Sequence, residues 1–258
     1  MGIRFGIPSY KRSDCAHSIQ ALKNLGFQKD EIVVAVQTES DLEKYRSSYG
    51  NDITLIFRPA RNCAQNRNTL IDYFDDGERF IMLDDDVKAF CRLEIIGDKK
   101  MFSKFTNSER LESTFTRMFD LCQKRKSPMW AWYPVPNPFF MSNTIDLRNL
   151  FVGTILGVVN DRKRHFDEGF DLKEDFEISL RLMRLGYNAV RFNGYAVEAN
   201  HKSKGGCESA WKSDSNIKRC AELLERYPTL IKASHRKDEV RFIGKVTAKG
   251  GKHGNRDS

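Results

Sequence analysis

Residues 79–86, RFIMLDDD, are the stretch that decides the fold. The apolar run is typical of a strand that is buried on both faces of a sheet, and three aspartates follow it without a spacer. Ligands bind at the carboxyl ends of the strands in open α/β sheets. The stretch therefore predicts a buried parallel strand whose end carries Asp84, Asp85 and Asp86 to the ligand-binding edge.

The sequence upstream of this strand alternates between two patterns. Apolar runs near residues 3–7, 32–37 and 53–57 predict strands, and helical patterns near residues 39–49 and 64–74 separate them. Strands that alternate with helices form parallel sheets with helical crossovers. We therefore predict an α/β fold with a mixed, mainly parallel sheet flanked by helices; the resemblance described below implies that it is Rossmann-like.

The pattern changes downstream of the aspartates. Helices are predicted over residues 108–125 and 173–185, and a strand over residues 189–195. Between them, residues 127–143 contain four of the seven prolines and two of the three tryptophans. Because repeated proline is incompatible with pairing in the centre of a sheet, we expect irregular structure over or beside a site there.

Composition narrows the class of protein. A chain of 258 residues with 40% hydrophobic residues can bury a full core without metal or disulfide support. The six cysteines include no CxxC pair, which argues against a zinc cluster and favours reduced thiols. No apolar run approaches the ~20 residues needed to span a bilayer, and the amino terminus has no signal-peptide core. We expect a soluble, cytoplasmic protein with no membrane partner and no obligate protein partner.

The positive charge is concentrated near the carboxyl end. Residues 202–258 contain 14 Lys and Arg against 7 acidic residues, which accounts for +7 of the net charge of +8. Such a surplus suits a polyanion such as nucleic acid, although lysine-rich surfaces also serve solubility alone. We predict one mixed α/β domain over residues 1–212, a basic helical extension of it over 213–248 and a disordered tail over 249–258.

The three aspartates suggest metal chemistry. Adjacent carboxylates repel one another unless a cation offsets them, and oxygen ligands suit Mg²⁺ or Mn²⁺. A metal held in this way at a strand end commonly bridges the phosphates of a nucleotide. The alternative is an ordinary acidic turn.

Two further groups could take part in chemistry. Glu174 and Asp175 begin the second predicted helix, where acidic residues serve either as partners of the helix dipole or as general bases. His201 follows the predicted strand over 189–195, and a lone histidine is either a structural residue or a ligand. Both interpretations remain open for each group.

Three segments resemble the GT-A fold nucleotide-sugar glycosyltransferases. They are FGIPSYKR (5–12), RNTLIDYF (67–74) before the aspartate strand, and KEDFEISLRLMRLGY (173–187). The resemblance implies that the aspartates are the DXD motif of that family. Asp86 would then ligate the metal and Asp84 would touch the metal or the ribose, although either aspartate fits the spacing of the ligand.

The resemblance also implies roles for other residues. It makes Asp175 the general base, with Glu174 as the second member of the acid pair, and it makes His201 a further metal ligand. The residues expected to bind the nucleotide-sugar donor are Pro8, Ser9, Tyr10, Arg12, Arg67, Asn68, Asp84, Asp85 and Lys204.

Within this fold, the chain is most similar to the bacteriophage TET-associated glycosyltransferases, over roughly residues 3 to 210. That similarity implies transfer, with inversion, from a UDP-sugar to a 5-hydroxymethylpyrimidine such as 5-hydroxymethylcytosine in DNA. It also implies Mn²⁺ or Mg²⁺ as cofactor and, for a viral protein, the host cytoplasm as location.

The basic carboxyl-terminal part would then contact DNA. The residues expected to bind it are Lys202, Lys212, Lys218 and Arg219. Aromatic side chains could stack on a base or a sugar, or pack in the core: Trp130, Trp132, Tyr133, Phe139 and Phe140. The alternatives are a glycosyltransferase with a glycan, lipid or protein acceptor, a nucleotidyltransferase and a non-catalytic nucleic-acid-binding module.

Overall fold

A computed structural model gives the fold of residues 2–200 and 214–244 and the backbone of residues 246–249. Within these residues, eleven strands form one mixed sheet and two more form a small hairpin. The strands are β1 Arg4–Ser9, β2 Ile32–Val36, β3 Thr54–Phe57, β4 Arg79–Leu83, β5 Val87–Ile96, β6 Lys99–Lys104, β7 Met129–Tyr133, β8 Thr144–Arg148, β9 Ile155–Val159, β10 Val190–Ala199, β11 Ile231–Ala233, β12 Val240–Phe242 and β13 Val246–Lys249. The helices are α1 His17–Leu25, α2 Glu39–Tyr49, α3 Cys63–Tyr73, α4 Ser108–Lys124, α5 Glu174–Arg184 and α6 Ser215–Arg226.

The first four strands form the parallel part of the sheet. Their order is β4-β1-β2-β3, and each neighbouring pair is parallel. The residues of β2 are all buried because helices cover the sheet, and α1, α2 and α3 connect the strands in sequence. The predicted α/β class and Rossmann-like sheet are confirmed. Since β1 and β4 are parallel neighbours, Ser9 and Asp84 leave the sheet at the same edge.

The second part of the sheet adds antiparallel pairs. Strand β9 runs antiparallel to both β4 and β7, so β4 and β7 point in the same direction. Strand β5 begins directly after the aspartates and pairs antiparallel with β10 and β6. As a result, three chain segments meet at one edge: the end of β4, the start of β5 and the end of β10.

Two expectations about the downstream part differ from the structure. The stretch 127–143 is not irregular throughout, because Met129–Tyr133 forms β7 between β9 and β10. The five residues of β7 contain no proline, since all four prolines of the stretch lie outside the strand. Among its described residues, 214–244 and 246–249, the predicted extension is helical only over α6, and its strand β13 pairs with β8 of the main sheet. Of the predicted tail, residues 250–258 lie outside the described residues.

No helix among the residues that the structure describes is both long and apolar enough to cross a bilayer.

Gly157 provides a test of how tightly the sheet is packed. It lies opposite Trp130 in the β7–β9 pair, and a Cβ added to it would lie 1.9 Å from a carbon of the indole ring. Trp130 is fully buried, with the rings of Phe115 and Phe119 packed against it. We expect Gly157→Ala to lower the free energy of unfolding by about 3 kcal/mol, measured by urea denaturation.

The control is Gly169→Ala, whose added Cβ would meet the carboxylate of Asp167 at 3.0 Å. That carboxylate is the end of a side chain that can move, so Gly169→Ala should lower the free energy of unfolding only slightly. Equal costs for the two variants would contradict the argument from tight packing.

Candidate active site

Backbone hydrogen bonds fix the turn that follows β4. The Asp84 N–H donates to the carbonyl of Thr154 at 3.0 Å, and the Ser18 N–H donates to the carbonyl of Asp85 at 3.2 Å. The Asn200 N–H donates to the carbonyl of Asp86 at 3.0 Å. The three aspartates are therefore held by α1, by the segment before β9 and by the end of β10, which makes their positions rigid.

Asp85 joins this turn to the loop after β1. Its two carboxylate oxygens accept hydrogen bonds from Arg12 Nη1 and Ser9 Oγ, each at 2.5 Å. The Ser9 hydroxyl also lies 2.6 Å from the hydroxyl of buried Tyr45. Burial raises the pKa of Asp85, although Arg12 and Ser9 oppose the shift. Asp85 thus positions the first loop, and three predicted donor-site residues (Ser9, Arg12 and Asp85) meet here.

Asp86 has an oxygen that the described part of the protein leaves without a hydrogen bond. Its Oδ2 is 3.2 Å from Arg12 Nη1, but its Oδ1 is buried and has no partner among the described residues. A buried carboxylate oxygen in this state is a suitable ligand for a hard cation. The predicted metal ligand Asp86 therefore fits such an ion.

The described residues alone do not complete a metal site. They contain no group of three His, Cys, Asp or Glu side chains arranged to hold a metal ion. The predicted ligand His201 lies outside the described residues, as do Lys202, Lys204 and Lys212. The metal thus remains a prediction that rests on Asp86 and Asp84.

Arg67 of α3 connects the aspartate turn to the second acidic group. Its side chain is only 3% exposed, and it donates from Nη2 to Asp84 Oδ1 at 2.8 Å and from Nε to Glu174 Oε1 at 3.2 Å. A third of the Asp84 side chain is exposed, yet desolvation in the cleft raises its pKa to about 7, with Arg67 opposing the shift. Arg67 therefore places the two predicted acidic sites in one charge network.

Gly153 completes this connection. Its carbonyl accepts from Arg67 Nη2 at 3.2 Å, and its N–H donates to Asp175 Oδ2 at 2.7 Å. A Cβ at this position would lie 2.8 Å from Arg67 Nη2 and 3.3 Å from the Asp175 Cβ, so only glycine fits between them. Sequence reasoning missed Gly153, since a single glycine in a loop carries no signal of what it will touch.

The two acidic residues at the start of α5 differ in their surroundings. Glu174 is buried beside Arg67, whereas Asp175 keeps some exposed surface. The Asp175 carboxylate accepts from the N–H groups of Gly153 and Phe176, the latter at 2.8 Å. Burial raises the pKa of Asp175 above that of an ordinary aspartate, although these hydrogen bonds lower it. Asp175 is therefore the more accessible acid, and its orientation is fixed by the backbone.

The other predicted donor-site residues have different contacts. Asn68 is buried, and its amide exchanges hydrogen bonds with the backbone of Phe166 and donates to Glu168. Pro8 is buried within β1, and Tyr10 is half-buried in the loop that follows. Asn68 thus holds the segment before α5, while Tyr10 keeps surface that a ligand can reach.

The two described residues of the predicted DNA surface also differ. Lys218 is exposed on α6. Arg219 is engaged with Asp171 at 2.7 Å and Glu222 at 2.8 Å. Contact between Arg219 and DNA stays a prediction, and it would require phosphate to compete with these carboxylates.

Arg67 can be tested for its electrostatic role. Arg67→Met should leave the buried Glu174 carboxylate without its cation and lower the free energy of unfolding by about 3–5 kcal/mol at neutral pH. Burial already raises the pKa of Glu174, and losing Arg67 should raise it further. A carboxyl group whose pKa is higher in the folded than in the unfolded state favours folding at low pH, so the variant should lose stability as pH rises.

Urea denaturation between pH 4 and pH 8 measures this effect. The double variant Arg67→Met with Glu174→Gln should recover part of the loss, because the uncompensated charge is gone. A loss independent of pH and unchanged in the double variant would point to packing instead of charge.

Comparison with known proteins places these residues in a family. The model of the TET-Associated Glycosyltransferase family matches residues 5–206. The structure of CMP:2-keto-3-deoxy-manno-octonic acid synthetase complexed with CTP aligns with 88% of this chain and 99% of its own, at 13% identity and a TM-score of 0.45. That of UDP-glucose pyrophosphorylase complexed with UDP-glucose aligns with 77% of this chain and 92% of its own, at 9% identity and a TM-score of 0.40.

No curated protein sequence matches the chain significantly. The similarity to these two structures is too low to support conclusions about the site. The assignment to a family therefore rests on the family match. Because that match covers most of the chain and includes the aspartate turn, Arg67 and Asp175, the protein belongs to the TET-associated glycosyltransferase family and is a glycosyltransferase.

Proposed function

We propose that this glycosyltransferase moves a sugar from a nucleotide sugar, specifically a UDP-sugar, to the hydroxyl of a 5-hydroxymethylpyrimidine in DNA. The main observation in support of this reaction is the hydrogen-bond network in which Arg67 joins Asp84 to the acid pair that contains Asp175. It supports the proposal because Asp84, a candidate metal ligand, and Asp175, the candidate base, are linked through Arg67 and Gly153. The acceptor follows from the family, and the surplus of +7 over residues 202–258 suits DNA.

The donor would bind between the first loop and the aspartate turn. Ser9, Tyr10 and Arg12 would hold the nucleotide there, with Arg12 already fixed against Asp85. Asp86 and Asp84, together with His201, would hold Mn²⁺ or Mg²⁺. When bound, such an ion neutralises charge on the departing diphosphate. Lys204 would add a further positive charge near the phosphates.

Asp175 would act on the acceptor side. As the hydroxymethyl oxygen forms its bond to the anomeric carbon, the bond between that carbon and the diphosphate oxygen breaks, and the configuration inverts. The hydroxyl proton passes to the Asp175 carboxylate. The N–H groups of Gly153 and Phe176 hold that carboxylate in one orientation, while Glu174 stays paired with Arg67.

The domain arrangement is part of the proposal. Residues 1–212 would carry out catalysis, and the extension over residues 213–248 would follow the DNA backbone. Exposed Lys218 would contact phosphate together with Lys202 and Lys212.

Mass spectrometry of nucleosides tests the acceptor directly. DNA that contains 5-hydroxymethylcytosine or 5-hydroxymethyluracil is treated with the protein, Mn²⁺ and a panel of nucleotide sugars, then digested. A mass increase of one sugar on the hydroxymethylated nucleoside is expected, and none with unmodified DNA. Transfer to a glycan, lipid or protein alone, or to free hydroxymethylated nucleoside as readily as to DNA, would contradict the proposal. Release of pyrophosphate from a nucleoside triphosphate would instead favour a nucleotidyltransferase.

A further inference from the structure

Two adjacent phenylalanine rings are exposed to solvent in the loop that follows β7. Phe139 is 79% exposed and Phe140 is 61% exposed, and their rings meet edge to face with centroids 4.9 Å apart. The other aromatic residues considered for stacking behave differently, since Trp130 and Trp132 are buried in the core. A pair of exposed, touching aromatic rings is typical of a surface that binds a partner.

The loop that carries the rings is ordered by its own hydrogen bonds. The carbonyl of Asn137 accepts from the N–H groups of Phe140 and Met141, each at 3.1 Å, and its side chain accepts from the Phe139 N–H at 3.0 Å. Met141 is fully buried and packs with Leu93 of β5. The rings are therefore held in place before any partner arrives, which reduces the entropy lost on binding.

The hairpin of β5 and β6 places positive charge beside this loop. Lys100 Nζ donates to the carbonyl of Met141 at 3.0 Å, which ties the hairpin to the base of the loop. Residues 87–104 contain five Lys or Arg against two acidic residues, a formal charge of +3, although Arg92 is paired with Glu94 and Lys104 with Glu198. Residues 134–143 contain no charged residue. Uncharged aromatic rings next to a basic hairpin are the combination that single-stranded nucleic acid requires.

The topology places the loop at the edge of the sheet that carries the aspartates. Strands β4 and β7 point in the same direction, because each is antiparallel to β9 between them. The end of β7 is thus two strand spacings, about 10 Å, from the end of β4. Phe139 and Phe140 lie six and seven residues beyond the end of β7, so an unpaired DNA strand that extends from the aspartates could follow the loop toward the rings.

We propose that Phe139 and Phe140 form a stacking platform for an unpaired base of the acceptor DNA strand, and that Lys100, at the base of the loop, contacts its phosphates. This inference rests on the proposed function, because DNA is the partner that it assigns. The platform would hold another nucleotide of the strand while the modified base lies out of the helix, beside the aspartates.

The test measures binding of full-length protein to a single-stranded oligonucleotide that contains 5-hydroxymethylcytosine, by fluorescence anisotropy. Phe139→Ala and Phe140→Ala should each weaken affinity about tenfold. Phe140→Tyr should retain it and Phe140→Leu should not, because stacking requires a ring. The matched control is Leu185→Ala, which removes an equally exposed apolar side chain (64%) at the end of α5.

Salt separates the two parts of the platform. The phenylalanine variants should keep the slope of log affinity against log salt, whereas Lys100→Gln should reduce it by about 0.7 for a single strand. Thermal unfolding should be unchanged in all variants, since the replaced side chains are exposed.

The outcomes distinguish the platform from the proposed function. If wild-type protein transfers sugar to DNA but Phe139→Ala and Phe140→Ala leave affinity unchanged, the platform is wrong and the acceptor stands. If wild-type protein transfers sugar to no DNA, the proposed acceptor is wrong, and the platform, which depends on that acceptor, is wrong as well. If the variants only convert a dimer to a monomer in sedimentation, with DNA affinity intact, the rings serve a second copy of the chain and the platform is wrong.

Discussion

Asp175→Asn should lower the rate of sugar transfer by about 10²–10⁴-fold while leaving the affinity for the nucleotide sugar unchanged. The amide cannot take a proton from the acceptor hydroxyl, but it has nearly the same size, and its oxygen can keep one of the two backbone hydrogen bonds that Asp175 accepts. Arg67, Asp84 and Glu174 keep their ion pairs in this variant, so the donor side of the cleft should stay intact. Single-turnover kinetics measures the rate, and calorimetry with the nucleotide sugar measures the affinity.

The pH dependence gives this prediction a second readout. Because burial raises the pKa of Asp175, the wild-type rate should fall as pH drops through a value above that of an ordinary aspartate. The carboxylate is the active form of a base, so protonation removes activity. Asp175→Asn should lose the part of this acidic limb that is due to Asp175, leaving the part due to protonation of Asp84, whereas the control Glu174→Gln should keep both. Weaker donor binding with unchanged turnover would show that Asp175 is a ligand and not the base.

The arrangement of the parallel strands follows from local patterns. Strand β2, with the sequence IVVAV, and strand β4, with the sequence RFIML, are too apolar to lie anywhere except inside a covered sheet. Their alternation with α1, α2 and α3 then brings Ser9 and the aspartates to one edge. This part of the site could therefore be predicted without coordinates.

Other features depend on contacts between distant residues. Strand β7 was missed because prolines surround it, and only its partners β9 and β10 reveal that five proline-free residues suffice for pairing. Arg67 was expected beside the nucleotide, yet its partner Glu174 lies 107 positions away in the chain. No local pattern reports a charge pair at that separation. Gly153 was missed for the same reason, because its role exists only between Arg67 and Asp175.

The structure also distinguishes the three aspartates, of which the sequence left either Asp84 or Asp86 as the main metal ligand. Asp84 is paired with Arg67, and Asp85 is held by Arg12 and Ser9. Asp86 alone has a buried oxygen without a hydrogen bond from the described residues. The three aspartates lie in a turn, where each side chain takes a different direction, and the partner that each carboxylate meets decides its role. Because of this difference, we expect substitution of Asp86 to have the second large effect on sugar transfer.

Asp86→Ala should reduce transfer by about 10³-fold or more, because charge stabilisation by a divalent ion contributes several kcal/mol to such reactions. Mn²⁺ binding, followed by electron paramagnetic resonance in the presence of donor, should weaken in parallel. The contrast is Asp85→Asn, which should loosen the first loop but retain Mn²⁺ affinity, since both Asp85 oxygens are already occupied by Arg12 and Ser9.

The two variants separate a metal site from a general loss of negative charge. If the cleft only needs carboxylates to balance Arg12, then Asp85→Asn should be the more damaging change, because Arg12 Nη1 lies 2.5 Å from Asp85 and 3.2 Å from Asp86. If the ion is needed, Asp86→Ala should be worse, and EDTA should reproduce its effect on wild-type protein. Full activity of wild-type protein in EDTA, or of Asp86→Ala with Mn²⁺, would exclude a metal held by Asp86. In that case Arg12 and Arg67 would be the cations that face the leaving diphosphate.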